Sequence, residues 1–172
     1  NGLEDLEFVP IKLLPGDDAS CLNLNNVTST PLLGINPEKF IERNSFSFAS
    51  VLRSLKLANP WNSVNLPADN NTIYGIADQT VLQWGLKMKV GDTLTLRSEN
   101  GKPLKIIIAA GLKSSIFQGN IIIGFENFNK FFPTISGSQI LLADGNPQMI
   151  DLYRETMNDR FSNHGIHTEE TG

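Results

Sequence analysis

The clearest pattern of apolar and polar positions lies in the middle of the chain, between Thr72 and Phe132. A short β-prone run, Ile73–Ile76, is followed by Ala77–Trp84, in which apolar side chains recur at helical spacing beside polar neighbours. We therefore predict a strand and then a short helix that ends at Gly85. The apolar stripe of this predicted helix consists of Val81, Leu82 and Trp84.

The same stretch continues with the signature of a β-hairpin. Thr93–Arg97 alternates polar and apolar residues, which predicts a half-buried strand. Asn100 and Gly101 follow, and this dipeptide favours a type I′ turn because both of its central positions need positive φ. The returning run, Leu104–Ala110, is almost wholly apolar, so we expect it to be buried on both faces.

The first third of the chain predicts strands interrupted by a helix. Leu3–Leu14 indicates a strand that is bent, or lies at an edge, at Pro10. Leu22–Ile35 indicates one strand, a loop and a second short strand. Asn36 and Pro37 then have the capping and first-turn roles of a helix start.

Five further elements follow from periodicity. Val51–Leu57 predicts a short helix, and Glu126–Phe132 predicts a helix whose phenylalanine stripe belongs in the core and which Pro133 ends. Near the end of the chain, the pattern predicts a strand, a helix and a last strand. These three are Ser138–Ala143, Met149–Phe161 and Ile166–Glu169.

Length and charge narrow the possible functions. The 172 residues suffice for one domain or for two small subdomains that share an interface. Fourteen basic against eighteen acidic side chains leave the chain mildly acidic, which argues against a nucleic-acid partner. The apolar runs Leu104–Leu112 and Ile121–Phe125 are far shorter than the roughly 20 residues of a membrane span, so we expect this chain to be soluble. Its abrupt start and end predict that it is a segment of a longer protein.

Several segments carry a resemblance to a known family. Ile76–Leu94 resembles the stretch of MacB-like periplasmic core domains in FtsX-family ABC transporter permeases in which a short helix and a Gly-Asp pair precede a small β-barrel. Ile106–Gly111 is similar to the strand that follows in that family, and Gly34–Phe40 is similar to an earlier entry motif. The segments Leu14–Leu24 and Pro31–Ile35 resemble the region before this entry motif.

The resemblance implies an α+β domain with two subdomains. One, a porter-like mixed sheet with packed helices, would comprise about residues 1–57 and 138–172, and the other, β-barrel-like, about residues 73–132. Together they would form a single extracytoplasmic domain of an inner-membrane permease, on the periplasmic side. The implied partners are the flanking transmembrane helices of the same permease, a separate cytoplasmic ATP-binding subunit and a second permease copy. The family brings no catalytic residues and no cofactor, so we expect a protein that is not an enzyme.

The segment Ala58–Thr72 is the most loop-like part of the chain, and long polar loops on a compact scaffold often carry function. Its candidate partner contacts are Trp61, Asn62 and Leu66. The preferred interpretation of Trp61 is nevertheless that it folds back to fill the core under its own loop, as large aromatic residues commonly do.

Two other functions compete with the transporter interpretation. Lys113 with Ser114 or Ser115 suggests a Ser/Lys hydrolase, but such a pair needs a buried, desolvated lysine. A stand-alone surface module that binds peptide or carbohydrate would use Trp61 and Trp84 as stacking residues. The predicted helical stripe turns Trp84 towards the core and weakens that idea.

The remaining chemistry-bearing residues predict no site. Cys21 is expected to be a small buried hydrophobe in a strand Cys21–Leu24, and the adjacent Asp17 and Asp18 are expected to be solvated in a turn. His164 and His167 span a helix end without further ligands nearby, so no metal site is expected.

Overall fold

The computed structural model describes residues 3, 6–16, 30–161, 165 and 167–169. Its strands are β1 (Glu7–Leu14), β2 (Leu32–Ile35), β3 (Phe48–Val51), β4 (Thr72–Asp78), β5 (Thr93–Arg97), β6 (Pro103–Leu112), β7 (Ile121–Gly124) and β8 (Ile140–Asp144). Its α-helices are α1 (Glu38–Glu42), α2 (Phe125–Phe131) and α3 (Ile150–Phe161). Short 3₁₀ helices lie at Arg53–Leu55, Pro60–Asn65 and Pro147–Met149, and a π-helical turn lies at Val81–Leu86.

The chain divides into two compact units. The larger is Pro10–Ile140, and the smaller combines Asn1–Val9 with Leu141–Gly172. The strands form one eight-stranded sheet in the order β3-β6-β4-β7-β2-β1-β8, with β5 also paired to β6. Parallel pairs (β2 with β7, β4 with β6) alternate with antiparallel ones (β4 with β7), which confirms a mixed α+β fold.

The predicted boundary between a mixed-sheet subdomain and a barrel-like subdomain crosses this sheet. β6 and β7, both from the predicted barrel-like part, pair with β3 and β2 of the predicted porter-like part. The strands of the two predicted parts are therefore hydrogen-bonded neighbours. The barrel-like subdomain and its limits stay a prediction.

The core of the larger unit is a cluster of apolar side chains to which β4, β6, β7 and α2 all contribute. Every residue of β7 is buried, and the second half of β6 is buried on both faces, as the apolar run predicted. Phe128, Phe131 and Phe132 are also buried, so the predicted phenylalanine stripe does lie in the core. A Cβ on Gly34 of β2 would lie 2.6 Å from the Phe128 ring, which explains why a residue without a side chain stands there.

The helix predicted at Val51–Leu57 is wrong. The chain continues β3 through Val51 and then forms only a 3₁₀ turn, after which Lys56 adopts a left-handed conformation with φ 49°. Leu52 donates its backbone N–H to the carbonyl of Ala109, so sheet pairing with β6 prevails over local helical spacing.

The helix predicted at Ala77–Trp84 also begins too early. Ala77 and Asp78 belong to β4, where they pair with the end of β6. The helical turn begins at Val81 and passes through Gly85 to Leu86, after which Lys87 has φ 52°. Because the turn is π-helical, the apolar stripe does not stay on one face: Leu82 is buried, whereas Trp84 is 78% exposed.

The β5–β6 hairpin is confirmed, but its turn differs from the predicted type. Only Gly101 has positive φ within the loop, at 78°. Its N–H donates to the Ser98 carbonyl, and the Ser98 N–H donates to the Lys102 carbonyl. This is the pattern of a three-residue loop in which a turn is followed by a glycine bulge.

At the chain ends, β1 begins at Glu7 rather than Leu3 and runs through Pro10. In the smaller unit β8 and α3 are present as predicted, and Tyr153 of α3 is buried. His167–Glu169 form no strand, and Ile166 and the predicted strand Cys21–Leu24 lie outside the described residues. Within the described ranges, every helix falls short of the length and apolarity that a bilayer crossing requires.

Candidate functional site

One concave surface of the larger unit is a cleft of about 640 Å³, which we call the aromatic cleft. One wall is the segment after α1, which contains Phe46 and Phe48, and the other is the start of the Pro60–Asn65 turn. Lys113 and Ser114, which follow β6, complete its lining. Three separate segments of the sequence therefore meet here.

Five aromatic rings pack around this cleft. The Phe40 ring lies 5.2 Å from the Trp61 ring and 5.5 Å from that of Phe46, and the Phe46 ring lies 5.3 Å from that of Phe117. Phe48 contacts Trp61 edge-on, with 5.8 Å between the centroids. These are the tilted and edge-to-face arrangements that aromatic pairs favour, so the cleft has a rigid apolar base.

The backbone around the aromatic cleft is strained. Asn44, Phe46 and Ser114 have φ of 50°, 67° and 49°, in the left-handed region that residues with a side chain rarely occupy. Such conformations cost on the order of 1–3 kcal/mol each and concentrate at functional sites. For a bulky residue such as Phe46, the packing of its ring against its aromatic neighbours has to hold the strained backbone.

Trp61 contributes an unusual polar group to this region. Its side chain is 1% exposed, and its indole Nε1 has no hydrogen-bond acceptor among the described residues. Nearly all buried donors in folded proteins are satisfied, so an orphaned N–H is a marked feature. The preferred interpretation of Trp61 as a core residue is confirmed.

The turn that carries Trp61 is held on both sides. Asn59 caps it by accepting the backbone N–H of Trp61, and buried Asn127 of α2 donates its amide to the carbonyls of Val64 and Leu66. The predicted loop therefore contains an ordered 3₁₀ helix. Asparagine favours such capping roles because its short side chain reaches nearby backbone groups.

The predicted partner contacts lie along this turn in different environments. Asn62 and Leu66 are half-buried, whereas Trp61 is inaccessible from outside in this conformation. Trp84, the other candidate stacking residue, lies on the π-helical turn, outside the aromatic cleft. The partner contact itself stays a prediction.

A second, smaller cleft of about 240 Å³ lies next to Pro60, and we call it the basic cleft. Val51, Leu57 and Ala109 give it an apolar surface, and Arg53 and Lys56 are its charged residues. Pro60 lines both clefts.

The Ser/Lys pair does not form the arrangement that a hydrolase requires. The buried Ser115 donates both its backbone N–H and its hydroxyl to Oδ2 of Asp78, at 2.7 and 3.0 Å. Lys113 is exposed and Ser114 lies on the surface beside it. An exposed ammonium is fully hydrated and lacks the desolvation that would make lysine a base.

The pKa of Asp78 is displaced from its ordinary value. Burial alone would raise the pKa of Asp78, but hydrogen bonds donated by Ser115 and Thr80 stabilise the carboxylate and hold its pKa below the ordinary value. The sequence showed no sign of this buried carboxylate, because Asp78 occupied a polar position in a predicted helix. The groups that donate hydrogen bonds to Asp78 are backbone N–H groups and hydroxyls, an arrangement typical of a carboxylate with a structural role.

Among the residues that the structure describes, no group of three or more His, Cys, Asp or Glu side chains could hold a metal ion. His167 is exposed. The other candidates, Asp17, Asp18, Cys21 and His164, lie outside the described residues.

Comparison with known proteins gives likenesses to solved structures. No protein-family model matches the sequence, and no curated protein matches it. The extracellular domain of the noncanonic ABC-type transporter YknZ from Gram-positive bacteria is 14% identical over 96% of this chain and 80% of that chain, with a TM-score of 0.48. The periplasmic region of MacB from Actinobacillus actinomycetemcomitans is 14% identical over 92% of this chain and 67% of that chain, with a TM-score of 0.46.

Both solved structures are extracytoplasmic regions, and the second is from MacB, after which the family resembled by the sequence is named.

Proposed function

We propose that this chain is the extracytoplasmic domain of an ABC transporter permease subunit. In this role it is non-catalytic and couples ATP-driven motion to the handling of a substrate or partner outside the inner membrane. The observation that carries the proposal is where the family-like segments lie. Gly34–Phe40 begins in β2 and Ile76–Leu94 begins in β4, and these two strands flank β7 in the sheet.

The Gly-Asp pair of the resemblance has a defined structural role that supports the proposal. Gly91 has φ 96°, which a residue with a side chain adopts only with strain, and its N–H donates to the Ile108 carbonyl. Asp92 accepts the backbone N–H of Lys89 with its carboxylate. The pair therefore forms the entry to β5, as expected of a motif retained for structure rather than chemistry.

The proposed partners are those of a permease: its own transmembrane helices, an ATP-binding subunit on the cytoplasmic side and a second permease copy. Motion would reach this domain as a rigid-body rearrangement, because the closely packed core resists continuous deformation. Candidate partner contacts remain Asn62 and Leu66 on the turn beside the clefts, with Trp61 supporting them from within.

Membrane topology tests the proposal. An epitope tag inserted after Gly119, an exposed turn position with open space around it, should leave the fold intact. In the full-length protein we expect the tag in the membrane fraction, and we expect protease added to intact spheroplasts to remove it. A tag that is protected in spheroplasts and cleaved only after lysis would contradict an extracytoplasmic location.

A stand-alone binding module is the second candidate, because the aromatic cleft has the concave, partly apolar form of a ligand site. A stand-alone module predicts that the full-length protein is released from the cell and is not found in the membrane fraction. Co-purification of an ATP-binding subunit in mild detergent favours the permease over this module.

A further inference from the structure

β3 lies at the end of the sheet, and one of its edges has no strand beside it within the described part of the chain. Among the described strands β3 pairs with β6. Leu52 donates its N–H to Ala109 of β6, and successive residues of an extended chain alternate in direction. The N–H and carbonyl of Val51 therefore point away from β6, where another strand could pair with them.

The two clefts lie at opposite ends of this short strand. Phe48, its first residue, lines the aromatic cleft, and Val51, its last residue, lines the basic cleft. At about 3.3 Å per residue the two positions are roughly 10 Å apart, a distance that four residues of an added strand would cover. β5 also borders β6, but no residue of β5 lines either cleft.

The charges around β3 indicate the chemistry of the occupant. Arg53 and Lys56 line the basic cleft, Lys113 lines the aromatic cleft, and neither cleft is lined by an acidic residue. In a chain with a formal net charge of −4, three cations around one strand edge form a local positive surface. Complementary charge steers association and selects the partner. A partner that binds this positive surface should therefore carry carboxylates.

We propose that an extended, acidic segment of a partner protein adds to the sheet as a strand along β3. Its backbone pairs with the open edge, apolar side chains enter the two clefts, and its carboxylates face Arg53, Lys56 and Lys113. Recognition by strand addition combines main-chain hydrogen bonds with pockets for alternate side chains, which is the arrangement at β3. The inference rests on the proposed function only in that an extracytoplasmic domain engages a partner protein.

Binding of a synthetic peptide to the 172-residue chain tests this inference. The probe is an eight-residue peptide that alternates glutamate with valine and phenylalanine, and the matched control peptide carries lysine in place of each glutamate. We expect the acidic probe to bind in a titration followed by fluorescence anisotropy and the lysine peptide to bind at least about tenfold more weakly. Hydrogen exchange at the Val51 amide should slow when the acidic probe is bound.

Two disruptive variants and one matched control locate the site. Val51→Pro removes the outward N–H without removing a donor to β6 and should weaken probe binding about tenfold, whereas Val51→Thr keeps the N–H and should bind normally. If Val51→Pro lowers the melting temperature and the fold is lost, the double substitution Arg53→Glu, Lys56→Glu decides. These side chains are exposed, so this variant should remain folded and still lose binding.

Three results would overturn the inference: no binding of the acidic probe up to about 1 mM, binding that both Val51→Pro and the double glutamate variant retain, or unchanged exchange at Val51. A dimer of the chain that Val51→Pro dissociates would also overturn it, because the occupant of the edge would then be a second copy. The two tests are independent. Failure of the peptide to bind does not change the membrane-topology result, and a tag that is protected in spheroplasts does not change the result of the peptide titration.

Discussion

Ser115 donates two hydrogen bonds to the same carboxylate oxygen of Asp78, although the two residues are 37 positions apart in the chain. The second carboxylate oxygen accepts the N–H of Thr80 at 2.8 Å. Asp78 therefore ties together the end of β4, the turn that follows it and the segment after β6. A buried carboxylate is stable only when its oxygens are satisfied in this way.

Replacement of Asp78 should be among the most costly polar substitutions in the chain. Asp78→Ala leaves the N–H groups of Thr80 and Ser115 without their acceptor, and we expect a loss of about 3 kcal/mol in the free energy of unfolding. Ser115→Ala removes only the hydroxyl and should cost about 1 kcal/mol. Urea unfolding of both variants and of the double variant measures these values, and full additivity would contradict the shared hydrogen bonds.

The lowered pKa of Asp78 predicts a pH dependence of stability. A carboxyl whose pKa is lower in the folded than in the unfolded state adds stability above its ordinary value of 3.8, and that contribution is lost as the pH falls through the folded pKa. We expect the stability difference between wild type and Asp78→Asn to be largest near neutral pH and to shrink below pH 4. A difference that stays constant between pH 7 and pH 2.5 would show that the carboxylate is not the source.

The elements that the sequence predicted well are those whose signal is local. The alternation in Thr93–Arg97 and the apolar run that follows contain enough information for a hairpin, and Phe128 and Phe131 mark the buried side of α2 without reference to a distant segment. The π-helical turn that leaves Trp84 exposed had no such local signal. Ala77 and Asp78 remain in a strand because they pair with residues more than thirty positions later, which a local window cannot show.

The candidate site was less predictable for the same reason. Its walls come from three separate segments, and the positive φ of Phe46 runs against the preference of its residue type. The sequence identified Trp61 as a residue of interest. Of its two interpretations, partner contact and core residue, the core residue was correct. Asn127, which fixes the turn by two hydrogen bonds to backbone carbonyls, appeared in the sequence only as a polar residue within a helix.

Gly124 should tolerate no side chain. It has ordinary strand-like angles, φ −69° and ψ 147°, but a Cβ there would lie 2.9 Å from the carbonyl carbon of Val64, a backbone atom that cannot swing aside. We expect Gly124→Ala to cost about 3 kcal/mol by overpacking. Gly119→Ala is the matched control: its cost of about 1 kcal/mol comes from φ 83° alone, since no atom lies within 4 Å. Equal thermal shifts for the two variants would contradict the close approach.

Tryptophan fluorescence tests the difference in burial between Trp61 and Trp84. Trp61 is buried and Trp84 is 78% exposed, so each single-tryptophan variant should report one environment. Trp84→Phe should leave a blue-shifted emission that acrylamide quenches weakly, and Trp61→Phe should leave a red-shifted emission that acrylamide quenches strongly. The reverse assignment would restore the apolar stripe that the sequence predicted.

Stability measurements on the same positions separate packing from hydrogen bonding. Trp84→Ala removes an exposed side chain and should change the free energy of unfolding by less than about 0.5 kcal/mol. Trp61→Ala empties a core position and should cost about 4 kcal/mol. Trp61→Phe loses less volume and also removes the unsatisfied indole N–H, whose burial itself costs about 1–3 kcal/mol, so its net effect should be much smaller than that of Trp61→Ala. Equal destabilisation by the two Trp61 variants would contradict this expectation. It would indicate that the indole N–H has a hydrogen-bond acceptor in the folded protein.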